Sequence, residues 1–255
     1  MQSNKNISAS QSIKKYTQAR IALGKKGVSV PAKEMLQFKM DHAHARDAVF
    51  SLLEIDKLSK ELKSFNLPVF LLKSKATDKH LYLKRPDLGR KLDENSIEQL
   101  SVLRDMQYDV CIAITDGLSA TAINNHAKNI LVALMPLLNK ANIKIAPLCL
   151  IERGRVAIAD EVSSWMNAKL SLILIGERPG LSSPDSLGAY ITYNPSIGLK
   201  DERRNCVSNI RPEGLKYKEA ANKIFYLIKE AFRLKLSGVE LKENDTNASL
   251  NNWHI

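Results

Sequence analysis

The sequence predicts an α/β fold, a mainly parallel sheet with helices on both faces, and three observations carry that prediction. Continuously apolar runs such as "YDVCIAI" (108–114) and "LSLILIG" (170–176) read as strands buried on both sides, because a half-exposed strand would alternate polar and apolar residues. Segments of helical period separate them, the clearest being "LSATAINNHAKNILVALMPLLNKA" (118–141), with Ile123, Ile130, Leu131, Leu134 and Leu138 on one face. A chain of 255 residues, 44% of them hydrophobic, is long enough to bury such a core. The arrangement is Rossmann-like, preceded by a smaller helical N-terminal domain; the expected division is 1–92 and 93–255.

In chain order, "PAKEMLQFKMDHAHARDAVFSLLE" is helical from Pro31 onward, since proline suits a first helical turn. "DKLSKELKSFN" extends that character to about residue 66. "PVFLLKS" is the first strand, and "KHLYLKRPDLGRKL" reads as a short strand running into a Pro-Asp turn. "ENSIEQLSVLRDM" is helical. After the strand at 108 comes the long helix, capped by Ser119 or Thr121 and expected to loosen at Pro136. "IKIAPLCLI" is a strand, "ADEVSSWMNA" a short helix, and "LSLILIG", "AYITYN" and "CVSNI" supply further sheet segments. The helix "YKEAANKIFYLIKEAFRLKL" places Ile224, Ile228, Ala231 and Phe232 on one face and is expected to stop at Ser237-Gly238.

Composition excludes several classes. No apolar run approaches the ~18 residues of a membrane span, and the polar start "MQSNKNISASQS" lacks a secretory signal core, so a soluble intracellular protein with no membrane partner is expected. Cys111, Cys149 and Cys206 are odd in number and far apart, which fits a reducing compartment rather than a disulfide framework or thiolate zinc site. The formal net charge of +11 is uneven: residues 1–40 hold eight Lys or Arg against Glu34 alone. That basic arm reads as a solvated or partner-docking terminus. Only Tyr16 and Phe38 interleave with it, a poor platform for stacking nucleic-acid bases, and no nucleic-acid partner is expected. His42 and His44 stand two apart, on different sides of a helix, and make no metal site.

In sheets of this kind ligands sit beyond the carboxyl ends of the strands, so the residues ending each apolar run are the ones to inspect. In "AITDGLSATA", Asp116 ends a strand, Gly117 permits a turn and Ser119 can cap the next helix, leaving backbone N–H groups facing the mouth. The single glycine there rules out a G-x-G-x-x-G dinucleotide loop, which weighs against a nicotinamide oxidoreductase. "CLIERGRVAIADEV" places Glu152 and Arg153 after a strand, with Gly154 reversing the chain. In "GERPGLSSP", Glu177 follows a buried strand; a carboxylate there requires donors from protein or ligand, and Pro179 and Pro184 stiffen its loop. Cys206, Ser208 and Asn209 approach the same mouth if "CVSNI" enters the sheet. From its sequence neighbours alone Cys206 reads as a buried hydrophobe.

Read together, "HAHARDAV", "YLKRPDLGRKL", "TDGLSATA", "GRVAIADE", "GERPGLSSPDSLG" and "RNCVSNIRPEGL" closely resemble the small (light) subunit of ethanolamine ammonia-lyase, an adenosylcobalamin enzyme, from about residue 12 to residue 242. The resemblance implies a Rossmann-like subunit that pairs with a large barrel-shaped catalytic subunit in a hetero-oligomer, with adenosylcobalamin between them. It further implies radical conversion of ethanolamine to acetaldehyde and ammonia, in ethanolamine catabolism. The family's cobalamin contacts fall on Val156, Glu177 and Cys206, which moves Cys206 from core thiol to wall residue. No catalytic or metal-ligating residue is expected in this chain. "DKHLYL" has Asp78 and His80 but Leu83 where the lower-base-replacing motif D-x-H-x-x-G needs glycine, so His80 is not expected to ligate cobalt and the cofactor keeps its own base. Many family members carry a longer N-terminal extension associated with microcompartment enclosure, so the expected location is the cytoplasm, free or within a bacterial microcompartment.

Overall fold

The computed structural model describes residues 16–17, 19–21 and 23–242; the polar head and Lys5, Lys14 and Lys15 of the basic arm lie outside them. Helix α1 (Ala32–Phe50) begins directly after Pro31, and α2 (Ile55–Leu62) follows a short break. A 3-10 turn (Lys63–Phe65) ends at Asn66, whose left-handed backbone turns the chain into β1 (Val69–Lys73). Helix α3 (Lys79–Lys84) comes next, then a 3-10 turn (Leu88–Arg90) and α4 (Glu94–Ser101).

The expected strand at "KHLYL" is therefore a helix. Its alternating pattern is short enough to suit either period, and Asp78 decides the matter by accepting the Leu81 N–H at 2.9 Å as an N-cap.

The remaining elements are β2 (Tyr108–Thr115), α5 (Ala120–Lys140), β3 (Leu148–Glu152), α6 (Ile158–Trp165), β4 (Ala168–Gly176), β5 (Leu187–Tyr193), β6 (Arg204–Ile210) and α7 (Tyr217–Leu234). Pro136 sits inside α5 without ending it. Helix α7 stops before Gly238, at Lys235 in the left-handed conformation. Gly238 has a different job: a β-carbon there would come within 2.0 Å of the Glu202 carbonyl, so it lets the C-terminal segment lie against the 3-10 turn Asp201–Arg203.

The six strands form one sheet in the order β1-β3-β2-β4-β5-β6. Strands β1, β3, β2 and β4 are parallel, and β5 and β6 add antiparallel pairs at one edge. β1 precedes residue 93 and pairs with β3, so the sheet draws on both of the segments divided at that point in the sequence.

Successive residues of the central strands serve opposite faces. Val110, Ile112 and Ile114 of β2 and Leu170, Leu172 and Leu174 of β4 pack with α2, α5 and α7. Cys111, Ala113, Ile173 and Ile175 pack with α4 and α6. Burial on both faces is why these strands read as unbroken apolar runs.

From β2 the chain passes through α5 on one face to β3, then through α6 on the other face to β4, on β2's far side. The carboxyl ends of β2, β3 and β4 thus open at one point of the sheet rim, where a crevice forms between diverging connections.

One charged pair lies inside this framework. The Arg204 guanidinium grips the Asp160 carboxylate with bonds of 2.8 and 2.7 Å, both side chains almost wholly buried, which ties β6 to α6. Burial pushes the Asp160 pKa up, and the Arg204 charge opposes that rise. Arg204→Met leaves the carboxylate buried and unpaired and is expected to cost about 3–5 kcal/mol, read as a lowered urea midpoint of unfolding.

Candidate functional site

At the rim, two glycines let the ends of β2 and β4 touch. A β-carbon on Gly176 would meet the Ser119 carbonyl oxygen at 2.0 Å, and one on Gly117, whose φ is +53°, would meet the Gly176 carbonyl oxygen at 2.4 Å. The Leu118 N–H donates to the Gly176 carbonyl at 2.9 Å and the Ser119 N–H to the Asp116 carbonyl at 3.0 Å. Ser119 caps α5, the Ala122 N–H donating to its Oγ, and the Thr121 N–H donates to Ser51 Oγ at 3.1 Å. The Leu118, Ser119, Thr121 and Ala122 N–H groups, among the backbone donors expected to face the mouth, are therefore spent within the protein. This helix start is no phosphate cradle.

Asp116 is buried beside them. It accepts the Arg153 N–H at 2.6 Å and pairs with Lys79 Nζ at 3.5 Å. Burial raises the Asp116 pKa against the pull of Lys79, and burial lowers that of Lys79. Lys79 also donates to the Gly117 carbonyl at 3.1 Å and lies 5.0 Å from the centre of the Tyr82 ring.

Tyr82, fully buried, donates its hydroxyl proton to the Gly154 carbonyl at 3.1 Å, and the Arg155 guanidinium carbon lies 4.1 Å from its ring centre. The α3 helix thus reaches the mouth with Lys79 and Tyr82, while His80 faces Phe50, ring centres 6.1 Å apart.

Glu177 answers the question of its donors with three protein groups. Ser186 Oγ donates to Oε2, Ser208 Oγ to Oε1 at 2.5 Å, and the Asn209 N–H to Oε2 at 3.3 Å. The Glu177 N–H in turn donates to the Ser186 carbonyl at 2.9 Å. Gly188 leaves the space the carboxylate fills, since a β-carbon there would stand 2.8 Å from Oε1.

The following loop is anchored at several points. Ser119 Oγ donates to the Pro184 carbonyl at 2.8 Å and Arg211 to the Ser182 carbonyl at 3.2 Å. Asp185 meets the buried His126 ring at 3.0 Å, and the other ring nitrogen meets the Tyr217 hydroxyl at 2.9 Å. The prolines stiffen the loop and these contacts fix where it lies.

These groups wall a cleft of about 440 Å³ that includes Tyr82, Arg155, Val156, Glu177, Tyr190 and Ser208. Of the residues singled out in the sequence, Val156 and Glu177 come together in it. Cys206 is the cross-strand partner of Tyr190 on β6, one step beyond the cleft lining, and is exposed, not a core thiol. Local desolvation still pushes its thiol pKa up, Tyr190 works against that, and the Glu177 carboxylate adds to it.

Sequence reading missed Tyr82, Arg155 and Tyr190. Arg155 had a visible signal, its place between Gly154 and Val156; Tyr82 was hidden in the segment misread as a strand. Among the described residues no cluster of His, Cys, Asp and Glu could hold a metal ion. The cleft's means are hydrogen bonding, apolar contact and positive charge, which suit it to hold a polar-rimmed ligand.

Compared with known proteins, residues 8–242 match the family "Ethanolamine ammonia-lyase light chain (EutC)". The chain is 48% identical to the ethanolamine ammonia-lyase small subunit of Xanthomonas campestris over 91% of its own length and 86% of that protein's. The like-named subunit of Azotobacter vinelandii is 48% identical over 94% and 90%, and that of Pseudomonas aeruginosa 47% over 91% and 86%.

Two outcomes follow from the site. Glu177→Ala strands the buried Ser186 hydroxyl and releases the exposed Ser208 and Asn209 donors to water; it is expected to cost about 1 kcal/mol, with faster amide exchange at Asn209 as its local signature. Lys79→Met removes the charge that opposes the rise in the Asp116 pKa. An acid with a raised folded pKa stabilises less as pH rises from its unfolded to its folded value, so the variant's deficit against the parent should grow as pH rises above the ordinary carboxylate range in urea titrations.

Proposed function

The chain belongs to the ethanolamine ammonia-lyase light-chain family, and from that premise we propose that it serves as the small subunit of an adenosylcobalamin-dependent lyase converting ethanolamine to acetaldehyde and ammonia. We read its sheet as Rossmann-like, its rim as one wall of the cofactor site, and the large subunit as the other wall. The observation that supports this most is that Val156 and Glu177, both implied by the resemblance to touch cobalamin, line one cleft beyond the strand ends, with Cys206 next to it.

The cleft suits the chemistry of a corrinoid, whose rim is a ring of neutral amides. Glu177 is held by its two serines with lone pairs left to accept an amide N–H, Tyr190 carries a hydroxyl, and Val156 offers an apolar contact. Burial raises the Tyr190 pKa, so its hydroxyl stays protonated and can donate. No phosphate-gripping glycine loop is needed, in accord with the donors at the start of α5 being spent. Adenosylcobalamin, when bound, supplies the radical by breaking its cobalt–carbon bond. This chain's residues orient the cofactor and exclude water on one side.

Two surfaces support an obligatory partner. The cleft is open and far smaller than a corrinoid, so a second wall must come from elsewhere. Helix α1 buries only Ala48 of its 19 residues and exposes Met35, Leu36, Phe38, Met40 and Phe50. A helix this poorly packed gains its stability when another protein covers it. We assign that cover to the large subunit, in a hetero-oligomer located in the cytoplasm, free or enclosed in a microcompartment.

The first test is acetaldehyde release from ethanolamine and adenosylcobalamin with the cognate large subunit, with this chain added or omitted. Release only when the chain is added supports the assignment; equal release without it, or none with both, refutes it. Light scattering across a chloride series is expected to show assembly weakening as salt rises, because the basic chain would dock partly through charge.

A further inference from the structure

We propose that Arg90 and Arg155 form an anion subsite beside the corrinoid cleft and that it takes the phosphodiester of the cofactor's nucleotide tail. The inference rests on the cobalamin reading above. A second cleft, of about 360 Å³, adjoins the first and shares Arg155, Val156 and Tyr190 with it, adding Arg90, Asp201 and Arg204.

The three arginines of this cleft differ in how far they are committed. Arg204 is spent: it grips Asp160, contacts Asp201 at 3.2 Å and donates to Thr192 and the Leu199 carbonyl. Asp201, the cleft's carboxylate, is thereby partly neutralised.

Arg155 is held in place but keeps donors to spare. Its backbone N–H donates to the Gly89 carbonyl at 2.7 Å, one Nη donates to the Tyr82 carbonyl at 2.9 Å, and the guanidinium stacks on the Tyr82 ring. Its Nε is shut off from solvent, without a hydrogen-bond partner among the described residues, so the donors left for an entering acceptor are on the Nη groups.

Arg90 makes no ion pair among the described residues. It closes the 3-10 turn whose Gly89 packs flush on the Arg155 stem; a β-carbon on Gly89 would stand 2.8 Å from Arg155 Cγ. The turn therefore carries one guanidinium to the edge of the cleft in which the other is already fixed.

The Arg90 guanidinium and the remaining Nη donors of Arg155, lining the same cleft, are suited to a tetrahedral oxyanion, which accepts from both. The amides around a corrin ring are neutral. The phosphodiester of the nucleotide tail carries the negative charge of the cofactor's periphery, and a cofactor that keeps its own lower base keeps this tail folded against the ring. The anion subsite lies where the corrinoid cleft continues past Val156, so one ligand can span both.

Cobinamide, a corrinoid without the nucleotide tail, separates tail binding from ring binding. In the assembled complex with the large subunit, equilibrium dialysis read by corrin absorbance would compare cobalamin with cobinamide for the parent, Arg155→Gln and Arg90→Gln. The expected result is a preference for cobalamin in the parent that falls about tenfold in each variant, with cobinamide affinity holding steady in Arg90→Gln, whose side chain lines only the second cleft. Inorganic phosphate should compete with cobalamin and not with cobinamide.

An unchanged preference, or an equal loss for both corrinoids, would overturn the subsite while leaving the cofactor reading standing. Absence of corrinoid binding by the parent complex would instead strike the reading beneath it. Arg90 is exposed, so its variant tests the idea even if Arg155→Gln disturbs the packing on Tyr82.

Discussion

A carboxylate at the end of a buried strand must be met by donors, and the way Glu177 is met governs the whole rim. Its acceptors draw Ser186 from the start of the next strand's approach and Ser208 and Asn209 from β6, so one side chain of the parallel core gathers the antiparallel edge around it. That knot adds to the ladder bonds, the apolar packing and the Arg204–Asp160 pair that hold β5 and β6, and it does so at the floor of the cleft. The same contacts leave the carboxylate pointing along the cleft wall, where its remaining lone pairs are available to a ligand.

The knot depends on absent side chains. Gly188 vacates the volume that Glu177 occupies, and Gly176 and Gly117 allow the β4 end to lie on the β2–α5 turn at distances no β-carbon could accept. The close approach also spends the backbone donors at the start of α5. A nucleotide-binding sheet keeps those donors free for phosphate, whereas here Gly176 consumes one and Ser51 another. Side chains supply the positive charge for an anion, and Arg90 and Arg155 offer it in the cleft they share.

How much of this the sequence disclosed follows from the range of each interaction. The central strands and α5 were legible because two-sided burial writes an unbroken apolar run and one-sided burial a 3.6-residue period. Glu177 was legible as an oddity, a charge where apolar character stops. Of its donors, Ser208 and Asn209 could be placed at the same mouth only on condition that β6 enters the sheet, and Ser186 not at all, since only the sheet order brings these residues close. The segment around Tyr82 misled because six residues can satisfy either period, and the deciding contact was a cap at Asp78. Gly238 looked like a helix stop and proved to be a packing glycine, for which sequence carries no local signature. Val156 entered by family resemblance, and Cys206, placed at the mouth on condition that β6 enters the sheet, was moved by that resemblance from core thiol to wall residue.

The site is half of something, and the physical form of that half explains its composition. A cofactor bound wholly within one chain would need a deep enclosure; a wall needs only a rigid surface with well-spaced polar groups. Rigidity comes from the Asp160–Arg204 pair, the Tyr82 ring with Lys79 and Arg155 against it, and the His126 contact that fixes the Asp185 loop. All three are made within the chain, so the surface is set before any ligand arrives and little ordering is left to oppose binding. Helix α1, by contrast, is the part least supported by its own chain, with one buried residue in 19. A rigid wall beside an unsupported helix is the arrangement expected of a subunit whose site is complete only when its partner has docked: the wall is ready for the cofactor, and the helix waits for the protein that closes the site.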